Sequence, residues 1–390
     1  MNQKWSFIYS IPTKVYFGDM IGHLGEELKQ YGNSILMVYS GDYIQQSGLY
    51  QQITNELNRS DIHWTEFCEV QPNPRHTDVN KGIRIGKEHH VDAVLAIGGG
   101  SAIDSAKVIA ASYYYDGDCW DIVSGKEQRN QVLPVIAIST ISATGSEMDN
   151  GAVITNLEKK EKRVVAGEDL YPRVSFLNPE WTYTVGERQT AYGIADIIAH
   201  ILEEYFSPEP GMYMIDTLME GLLRTVLKYG PIAYRNLSNY EARANLMWAA
   251  SWAINGFISF DRPHQWSMHP LGHELSAYYD MPHGLSLAII MPRWLRYIID
   301  ENSLPLFRKL AAYAFHLDVH CDDETLAEQV IVSLETLFYK DLKLESCLRN
   351  LNITDEKFQE MAEKLCSNGV FDGYRKMGKE DVLSIYRSCL

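Results

Sequence analysis

The sequence contains few cysteines, and they are widely separated. Among 390 residues the cysteines are Cys68, Cys119, Cys321, Cys347, Cys366 and Cys389, and no two form a C-x-x-C pair. This spacing argues against a disulfide scaffold in so long a chain and is typical of proteins in a reducing compartment. We therefore expect a cytoplasmic protein.

Long hydrophobic runs and a targeting segment are also missing. No window holds the roughly 18 uninterrupted apolar residues that a membrane-spanning helix needs. The first residues, MNQKWSFIYSIPTKVYFG, lack a basic region followed by an apolar region, which is the pattern of a signal peptide. The sequence therefore predicts neither a membrane span nor secretion.

Positive charge is scarce in this chain. The 35 Lys and Arg residues are outnumbered by 51 Asp and Glu, which gives a formal net charge of −16. Nucleic acids and anionic membranes are bound through basic surfaces. We therefore expect no nucleic-acid partner and no membrane partner, while a small basic pocket for a phosphorylated cofactor remains compatible with the composition.

The first half of the chain alternates between strand and helix patterns. A buried strand is predicted in SILMVYS (34–40), and further strands in HWTEFCEV (63–70), DAVLAIGGG (92–100) and VLPVIAIST (132–140), with helical patterns between them. This alternation is typical of a mostly parallel sheet with helices on both faces. The charged run LEKKEKR (157–163) is predicted to be a solvated hairpin turn.

The second half predicts helices only. Segments such as TAYGIADIIAHILEEYFS and YEARANLMWAASWAINGFIS have apolar residues at intervals of three and four, which is the helical period. A chain of this length suits two domains. We predict an α/β domain over residues 1–183 and an all-α domain over 184–390, with a functional cleft at the junction.

A glycine run follows the third predicted strand and precedes a helix. In AIGGGSAID (96–104), backbone N–H groups can approach an anion at the helix N-terminus. The run is neither a G-x-G-x-x-G fingerprint, because Ile103 occupies the third glycine position, nor a P-loop. A tight strand–helix turn is the alternative, and we favour binding of a cofactor pyrophosphate.

Two short segments contain the residues most suited to metal binding. Asp196 and His200 are four residues apart in a helical pattern, so their side chains share one face. Four of the twelve histidines fall within HQWSMHPLGHELSAYYDMPHG (264–284). A divalent ion readily takes imidazole nitrogen and carboxylate oxygen. The alternative for the first pair is a buried aspartate that only orients a histidine.

Asp196 and His200 leave two places in a four-ligand site. His269, His273 and His283 compete for these two places, and local spacing does not choose between them. His264 is expected to lie outside the ligand set or to be structural. A metal beside a dinucleotide site predicts redox chemistry at a carbonyl group, with a nearby histidine as proton relay.

The chain resembles the iron-containing (metal-dependent) alcohol dehydrogenase family, and within it the NADPH-linked butanol dehydrogenase and aldehyde reductase branch. The resemblance runs nearly from end to end. It is carried by YSIPTKVYFG, QPNPR, LAIGGGSAIDSAKVIA, STISATGSEMDNGAVITN, TAYGIADIIAH, YEARANLMWAASWAINGF and HPLGHELSAYYDMPHG. It implies a Rossmann-like dinucleotide-binding domain followed by an all-helical metal-binding domain, the dehydroquinate synthase-like fold.

The resemblance also implies which residues bind the metal. One divalent ion, Fe²⁺ or Zn²⁺, is expected on Asp196, His200, His269 and His283. His273 matches the family's non-ligand histidine near the nicotinamide, which is implicated in proton relay.

Residues of the cofactor site carry over in the same way. Those expected to contact the dinucleotide are Gly99, Gly100 and Ser101 in the pyrophosphate loop, Thr140 and Thr144, Asn73 near the adenosine half, and Lys162. The resemblance thus removes Lys162 from the predicted solvated turn. Asp104 and Lys107, on the helix after the loop, are expected to have structural roles.

The position after the first Rossmann strand bears on the choice of cofactor. Strict NAD users place an aspartate there, which binds the ribose 2′-hydroxyl and repels a 2′-phosphate. In VYSGDY this position is Gly41, as in NADP users, although the carboxylate of the neighbouring Asp42 would still discourage a phosphate and so competes for the discriminating role. The resemblance therefore predicts NADP(H) over NAD(H).

The expected reaction is the reversible reduction of short-chain aldehydes such as butanal to primary alcohols, by a homodimer. Aromatic residues near the histidine segment could line an apolar substrate channel, namely Trp252, Phe257, Phe260 and Trp266. An apolar wall offers no partner for additional hydroxyl groups and so disfavours charged or polyhydroxylated substrates.

Two other interpretations compete with this prediction, a different enzyme of the same fold and an inactive protein. Glycerol dehydrogenase and dehydroquinate synthase share the fold, but the synthase needs a pocket rich in Lys and Arg. Between residues 190 and 290 the basic residues are only Arg224, Lys228, Arg235, Arg243 and Arg262. A catalytically inactive nucleotide-binding protein is the other alternative, and the intact aspartate and histidines argue against it.

Overall fold

The computed structural model describes residues 5–41, 43–367 and 369–390. The chain forms two compact units. The α/β unit comprises Ser10–Gly186, and the helical unit comprises Glu187–Leu390 together with residues 5–9.

The α/β unit alternates strands and helices along the chain. Its strands are β1 (Lys14–Phe17), β2 (Ser34–Tyr39), β3 (His63–Phe67), β4 (Ala93–Gly98), β5 (Val135–Ser139), β6 (Gly151–Asn156), β7 (Glu161–Ala166) and β8 (Val174–Leu177). Its helices are α1 (Leu24–Lys29), α2 (Tyr43–Gln46), α3 (Leu49–Arg59), α4 (His76–Glu88), α5 (Gly100–Ser112) and α6 (Cys119–Val123). The four predicted strands are all present. Strands β1 and β8 were not predicted, because four residues are too few to display a period.

The main sheet of this unit is parallel. In the described residues it has six strands, in the order β1-β8-β5-β4-β2-β3. Strands β2 and β4 are neighbours, but the chain leaves β2 towards β3 on one side and leaves β4 towards β5 on the other. In such a doubly wound sheet, ligands bind beside the carboxyl ends of the two strands where the direction reverses. Gly41 follows β2 and Gly99 follows β4, so the fold brings both residues to this position.

Alternating side chains of the sheet belong to two hydrophobic cores. Leu36 of β2 and Val94 of β4 belong to one core, whereas Ile35 and Leu95 belong to the other. All six residues of β4 are buried, because helices cover both faces of a parallel sheet. The predicted α/β fold is confirmed.

The charged run forms part of a two-stranded hairpin. Strands β6 and β7 pair antiparallel, with Asn156 opposite Glu161 at the closing end. The hairpin prediction is therefore confirmed for residues 157–160, which form its turn. Glu161, Lys162 and Arg163 lie within β7 itself, so the prediction of a solvated turn was wrong for these three residues.

The second unit is helical, as predicted. Its helices are α7 (Glu187–Tyr205), α8 (Tyr213–Arg235), α9 (Tyr240–Ile254), α10 (Met268–Tyr279), α11 (His283–Tyr297), α12 (Leu304–Tyr313), α13 (Asp323–Glu335), α14 (Phe358–Leu365) and α15 (Lys379–Ser388). In its described part, β-structure is limited to a single bridge between Phe371 and Met377. No helix of the described chain combines the length and the apolar character needed to cross a membrane.

Helix α10 runs unbroken through a proline and a glycine. Pro270 is the third residue of the helix, where a backbone N–H has no intrahelical acceptor to lose. A Cβ atom on Gly272 would lie only 3.0 Å from Oγ of Ser286 on α11. Glycine therefore permits the close packing of the two helices that carry the histidine segment.

Residues 5–9 pack with the helices. The ring of Phe7 lies 4.3 Å from that of Phe260, and the ring of Tyr9 lies 5.3 Å from that of Phe257. The predicted first domain began at residue 1, whereas these aromatic contacts attach residues 5–9 to the helical unit. The limits 1–183 and 184–390, as the limits of independent domains, stay predictions.

Candidate metal centre and cofactor site

Helix α7 presents the first two predicted ligands. Asp196 and His200 are both buried, and Nε2 of His200 lies 3.8 Å from Oδ1 of Asp196. The apolar residues of α7 pack in the main core of the helical unit. That packing fixes the helix and turns this polar pair inwards.

Helices α10 and α11 bring two more histidines to the same carboxylate oxygen. Nε2 of His269 lies 3.9 Å from Oδ1 of Asp196. Nε2 of His283, the first residue of α11, lies 3.5 Å from it. Potential ligand atoms of Asp196, His200 and His269 all lie within 4.8 Å of one another. Three imidazole groups from three helices thus converge on one oxygen atom.

These separations fit a bound divalent ion. Metal–ligand bonds of about 2.0–2.2 Å in tetrahedral geometry place neighbouring ligand atoms about 3.4 Å apart. The three nitrogen–oxygen distances of 3.5–3.9 Å are close to that value and are longer than ordinary N–H···O hydrogen bonds. The donor set of three imidazoles and one carboxylate is one that zinc and iron accept.

The charge state of His200 also suits a metal ligand. Burial first, and then the neighbouring His269 and His264, hold the pKa of His200 well below its usual range. The imidazole is therefore neutral near neutral pH. A neutral ring keeps the lone pair that a metal needs.

His273 lies one helical turn beyond His269 on α10. Its ring centre is 5.2 Å from that of His283 and 6.3 Å from that of His269. His273 is half-buried, in contrast to the buried His269. The structure therefore brings His273 to the edge of the histidine cluster.

In the α/β unit, the glycine run begins helix α5. Gly99 is the N-cap residue and has no side chain with which to cap this end of the helix. A Cβ on Gly100 would lie 2.6 Å from Oγ1 of Thr144, so this predicted cofactor residue packs against the loop. Ser101 lies in the first turn. The helix N-terminus and a threonine hydroxyl therefore share one small region, as anion binding requires.

Thr140 lies beside the same loop. Its backbone N–H donates to the carbonyl oxygen of Gly98, and its Oγ1 lies 3.1 Å from the hydroxyl oxygen of Tyr43. Burial raises the pKa of Tyr43 to about 12, so this hydroxyl stays protonated at neutral pH. Sequence reasoning missed Tyr43, which is distant in sequence from the glycine run.

Gly41 lines a pocket of about 600 Å³ with residues of the loop after β3. Its walls include Glu69, Arg75 and Lys81, so both signs of charge are present. Lys81 pairs with Glu69 at 2.9 Å. Gly41 has φ +61° with open space around its missing Cβ. Asp42, the predicted competitor for the discriminating position, lies outside the described residues.

Two other predicted cofactor residues contact each other. Nζ of Lys162 donates to Oδ1 of Asn73 at 3.0 Å. Asn73 is buried and has φ +51°, a left-handed conformation that asparagine tolerates better than most residues. The side chain of Lys162 therefore extends from the hairpin to the loop before α4.

Asp104 and Lys107 form a buried network behind the loop. Asp104 accepts from Oγ of Ser146 at 2.7 Å and from the backbone of Val153 at 2.9 Å. Lys107 donates to Ser146 and to the carbonyl oxygen of Gly151 and forms an ion pair with Asp149. Burial raises the pKa of Asp104 to about 6. These contacts match the structural role expected for both residues.

Family comparisons cover both units. The family described as iron-containing alcohol dehydrogenase matches residues 12–179, and the Fe-containing alcohol dehydrogenase family, C-terminal, matches residues 190–390. The chain belongs to the iron-containing alcohol dehydrogenase family. Membership implies a divalent metal and a nicotinamide dinucleotide as cofactors.

Individual relatives of this alcohol dehydrogenase match over almost their whole length. NADH-dependent butanol dehydrogenase A of Clostridium acetobutylicum is 46% identical over 98% of this chain and 99% of its own. NADPH-dependent aldehyde reductase YqhD of Escherichia coli is 30% identical over 94% of each chain. The crystal structure of NADH-dependent butanol dehydrogenase A from Thermotoga maritima superposes with a TM-score of 0.93, at 35% identity over 99% and 98% of the two chains.

The four aromatic residues predicted to line a substrate channel of this alcohol dehydrogenase lie in two separate groups. Trp252, Phe257 and Phe260 form a cluster with ring centres 5.1 and 5.7 Å apart, the same cluster that holds Phe7 and Tyr9. Trp266 instead lies over the histidines, with its ring 4.4 Å from that of His269.

Sequence reasoning missed two buried glutamates, Glu203 and Glu204, that contact the histidine segment. Glu204 accepts from Nε1 of Trp266 at 2.8 Å and contacts Nδ1 of His264 at 2.7 Å, so His264 lies outside the cluster, as expected. Glu203 contacts His269, and burial raises the pKa of Glu203 to about 7. The signal available was spacing, since Glu203 lies seven residues after Asp196 on the same helix.

Proposed function

We propose that Asp196, His200, His269 and His283 hold one divalent ion, Fe²⁺ or Zn²⁺. The observation that carries the proposal is the approach of three imidazole Nε2 atoms to within 3.5–3.9 Å of Oδ1 of Asp196. A divalent ion at this point supplies a Lewis acid for the oxygen of an aldehyde or alcohol. The affinity order favours zinc over iron, whereas the family name favours iron.

The glycine run and its neighbours are proposed to bind the dinucleotide. Gly99, Gly100 and Ser101 offer the N-terminus of α5 to the pyrophosphate, and Thr140 and Thr144 supply hydroxyl groups beside it. Asn73, in the loop before α4, and Lys162, on β7 of the hairpin, are proposed to contact the cofactor as well. The nicotinamide supplies or accepts the hydride.

His273 is proposed to relay the proton. Its ring lies beside that of His283, and it is less deeply buried than His269. An imidazole at the edge of the cluster can exchange a proton with solvent and pass it to the alkoxide oxygen of the product. In the alcohol-oxidising direction the same ring accepts the proton.

Two lines of support differ on the nicotinamide cofactor. The open space at Gly41 supports NADP(H), which stays the prediction from sequence. The carboxylate of Glu69 in the same pocket and the names of the two butanol dehydrogenases support NAD(H). We give the second line more weight, because the NADH-dependent Clostridium relative is 46% identical to this chain and the NADPH-dependent Escherichia coli relative only 30%. We therefore propose NAD(H) as the better cofactor.

The proposed substrates are short aldehydes and the corresponding primary alcohols, butanal among them. The names of the relatives support this class, and the indole of Trp266 offers an apolar surface beside the histidines. An apolar wall cannot satisfy additional hydroxyl groups. A homodimeric state and a cytoplasmic location stay proposals, the second supported by the scattered cysteines.

One panel of assays tests the proposal. The metal-free protein is supplied with Zn²⁺ or Fe²⁺, and kcat/KM is measured for butanal, dihydroxyacetone and a sugar phosphate with NADH and NADPH. We expect metal-dependent activity with butanal and NADH as the best pair. A clear preference for dihydroxyacetone would instead support a glycerol dehydrogenase, and activity independent of metal would refute the proposed site.

A further inference from the structure

Glu203 lies on the face of α7 that carries Asp196 and His200. The three residues are spaced i, i+4 and i+7, so a helix places them in one row. The side chain of Glu203 is almost completely buried, with 1% exposed. A carboxylate at such a position is costly to bury unless hydrogen bonds satisfy its oxygens.

Four nitrogen atoms from the start of α10 surround this carboxylate. The backbone N–H groups of Ser267 and Met268 donate to Oε1. The backbone N–H of His269 donates to Oε2 at 3.0 Å, and Nδ1 of the same histidine lies 2.5 Å from Oε2. All four nitrogen atoms belong to three consecutive residues.

The backbone contacts replace a helix cap. The first N–H groups of a helix have no intrahelical acceptor, and the N-cap residue Ser267 makes no capping hydrogen bond with its own side chain. Glu203 therefore accepts in its place, from a different helix. This fixes the first turn of α10, and with it the backbone of His269, relative to α7.

The side-chain contact fixes the tautomer of His269. While Glu203 is ionised it can only accept hydrogen bonds, so the proton of the neutral ring resides on Nδ1. Nε2 is then unprotonated and carries the lone pair. Nε2 is also the atom that lies 3.9 Å from Oδ1 of Asp196.

We propose that Glu203 is a positioning residue for the metal centre, holding both the backbone and the ring of His269 so that Nε2 faces the ion. The proposal rests on the proposed function, since it requires His269 to be a ligand. Carboxylates behind metal-bound histidines orient the ring and raise its basicity, and losing one typically weakens metal binding about 10–100-fold.

Replacement of Glu203 by glutamine tests this role with almost no change of shape. An amide has one acceptor oxygen and one donor nitrogen. If the oxygen faces the N–H groups of Ser267 and Met268, the nitrogen donates to Nδ1 of His269 and the ring proton moves to Nε2, while the backbone N–H of His269 loses its acceptor. If the amide is reversed, its nitrogen meets two backbone donors. Glutamine therefore cannot serve both functions.

Zinc affinity is the first readout. The dissociation constant is measured on the full-length protein by competition with a chelator, and we expect Glu203→Gln to weaken it about 10–100-fold. Glu220→Gln is the matched control. Glu220 is also buried and accepts from the hydroxyl of Tyr205 at 2.8 Å, so its replacement should leave zinc affinity within about twofold. Circular dichroism establishes that each variant is folded.

The tautomer of the His269 ring is the second readout. A general loss of packing would not move the ring proton from one nitrogen to the other. Nitrogen-15 spectra of histidine-labelled, chelator-treated protein distinguish the two tautomers, and His269→Ala identifies the resonances. We expect the proton on Nδ1 in wild type and on Nε2 in Glu203→Gln. If Glu203→Gln does not fold, the wild-type spectrum is sufficient, because a proton on Nε2 of His269 in the wild-type protein would overturn the proposal.

The outcomes separate this proposal from the metal site itself. Zinc binding by His269→Ala at wild-type affinity would show that the proposed ligand set is wrong. Loss of zinc in His269→Ala, with wild-type affinity in Glu203→Gln, would leave the metal site standing and overturn the role of Glu203. An unchanged tautomer in Glu203→Gln would overturn it as well.

Discussion

Nζ of Lys162 donates a hydrogen bond of 3.0 Å to Oδ1 of Asn73, which precedes it by 89 residues. The contact joins β7 of the hairpin to the loop before α4. It gives a charged side chain from a partly exposed strand a fixed position among predicted cofactor residues.

Lys162→Met should weaken cofactor binding. The substitution keeps most of the side-chain length but removes the ammonium group, and hydrogen bonds to charged groups contribute enough for a loss of roughly tenfold or more. The dissociation constant of NADH, measured by nucleotide fluorescence, checks this. Lys159→Met in the exposed turn is the control and should bind as wild type does. Equal affinity in both variants would contradict a cofactor role for Lys162.

His269→Ala should empty the metal site or greatly weaken it. The change removes one of three imidazoles that approach Asp196, and too few ligands remain to hold a divalent ion tightly. Metal content after gel filtration is the measurement. His264→Ala is the control, because the His264 side chain is 59% exposed and contacts Glu204. We expect it to retain the metal, and retention by both variants would refute the ligand assignment.

His273→Ala should keep the metal and lose rate. A positioned proton relay contributes roughly 10²–10⁴-fold to catalysis, and its loss leaves Asp196 and the other three histidines in place. Metal content and kcat for butanal reduction are measured on the same preparation. Full activity without the imidazole would exclude the relay, and loss of metal would place His273 among the ligands.

Gly41→Asp should lower kcat/KM with NADPH relative to NADH. The backbone at Gly41 has φ +61°, so any side chain introduces some strain, although Asp and Asn tolerate this region best. Gly41→Asn is therefore the matched control, since it adds the same shape without charge. We expect the NADPH to NADH ratio to fall about tenfold further in the aspartate variant. Equal ratios would show that Gly41 does not face the 2′ position.

Lys107→Met should destabilise the α/β unit. The Lys107 side chain is fully buried in an ion pair with Asp149, and removing one partner of a buried pair costs about 3–5 kcal/mol. The midpoint of urea unfolding is the measurement. Lys126→Met is the control, because Lys126 pairs with Asp121 while 68% exposed. A midpoint equal to wild type in both variants would rule out a structural role for the network.

Local patterns in the sequence were sufficient for much of the fold. Strands β2, β4 and β5 were predictable because each is a largely continuous apolar run bounded by turns, and β3 because its aromatic residues and threonine favour a strand. The α7 pair of Asp196 and His200 was predictable because a helix places residues four apart on one face. Strands β1 and β8 were not predictable, since strands of four residues are recognised only through the parallel pairing of β1 with β8 and of β8 with β5.

Most of the site depended on contacts between distant segments. The approach of His283 to Asp196, and the position of Gly41 beside the loop after β3, follow from packing that no local period encodes. Glu203 is the clearest case. Its spacing on α7 was visible, but its function depends on the start of α10, which lies more than sixty residues further along the chain.

The sequence by itself determined the class of each half, the row of polar residues on α7 and the glycine turn before α5, because these features depend on neighbours within a few residues. Only the tertiary structure decided which histidine nitrogen faces the aspartate, which aromatic ring lies over the histidines, and which buried carboxylate holds α10. Burial in a shared core is the physical reason, because it forces polar groups from separate helices to satisfy one another.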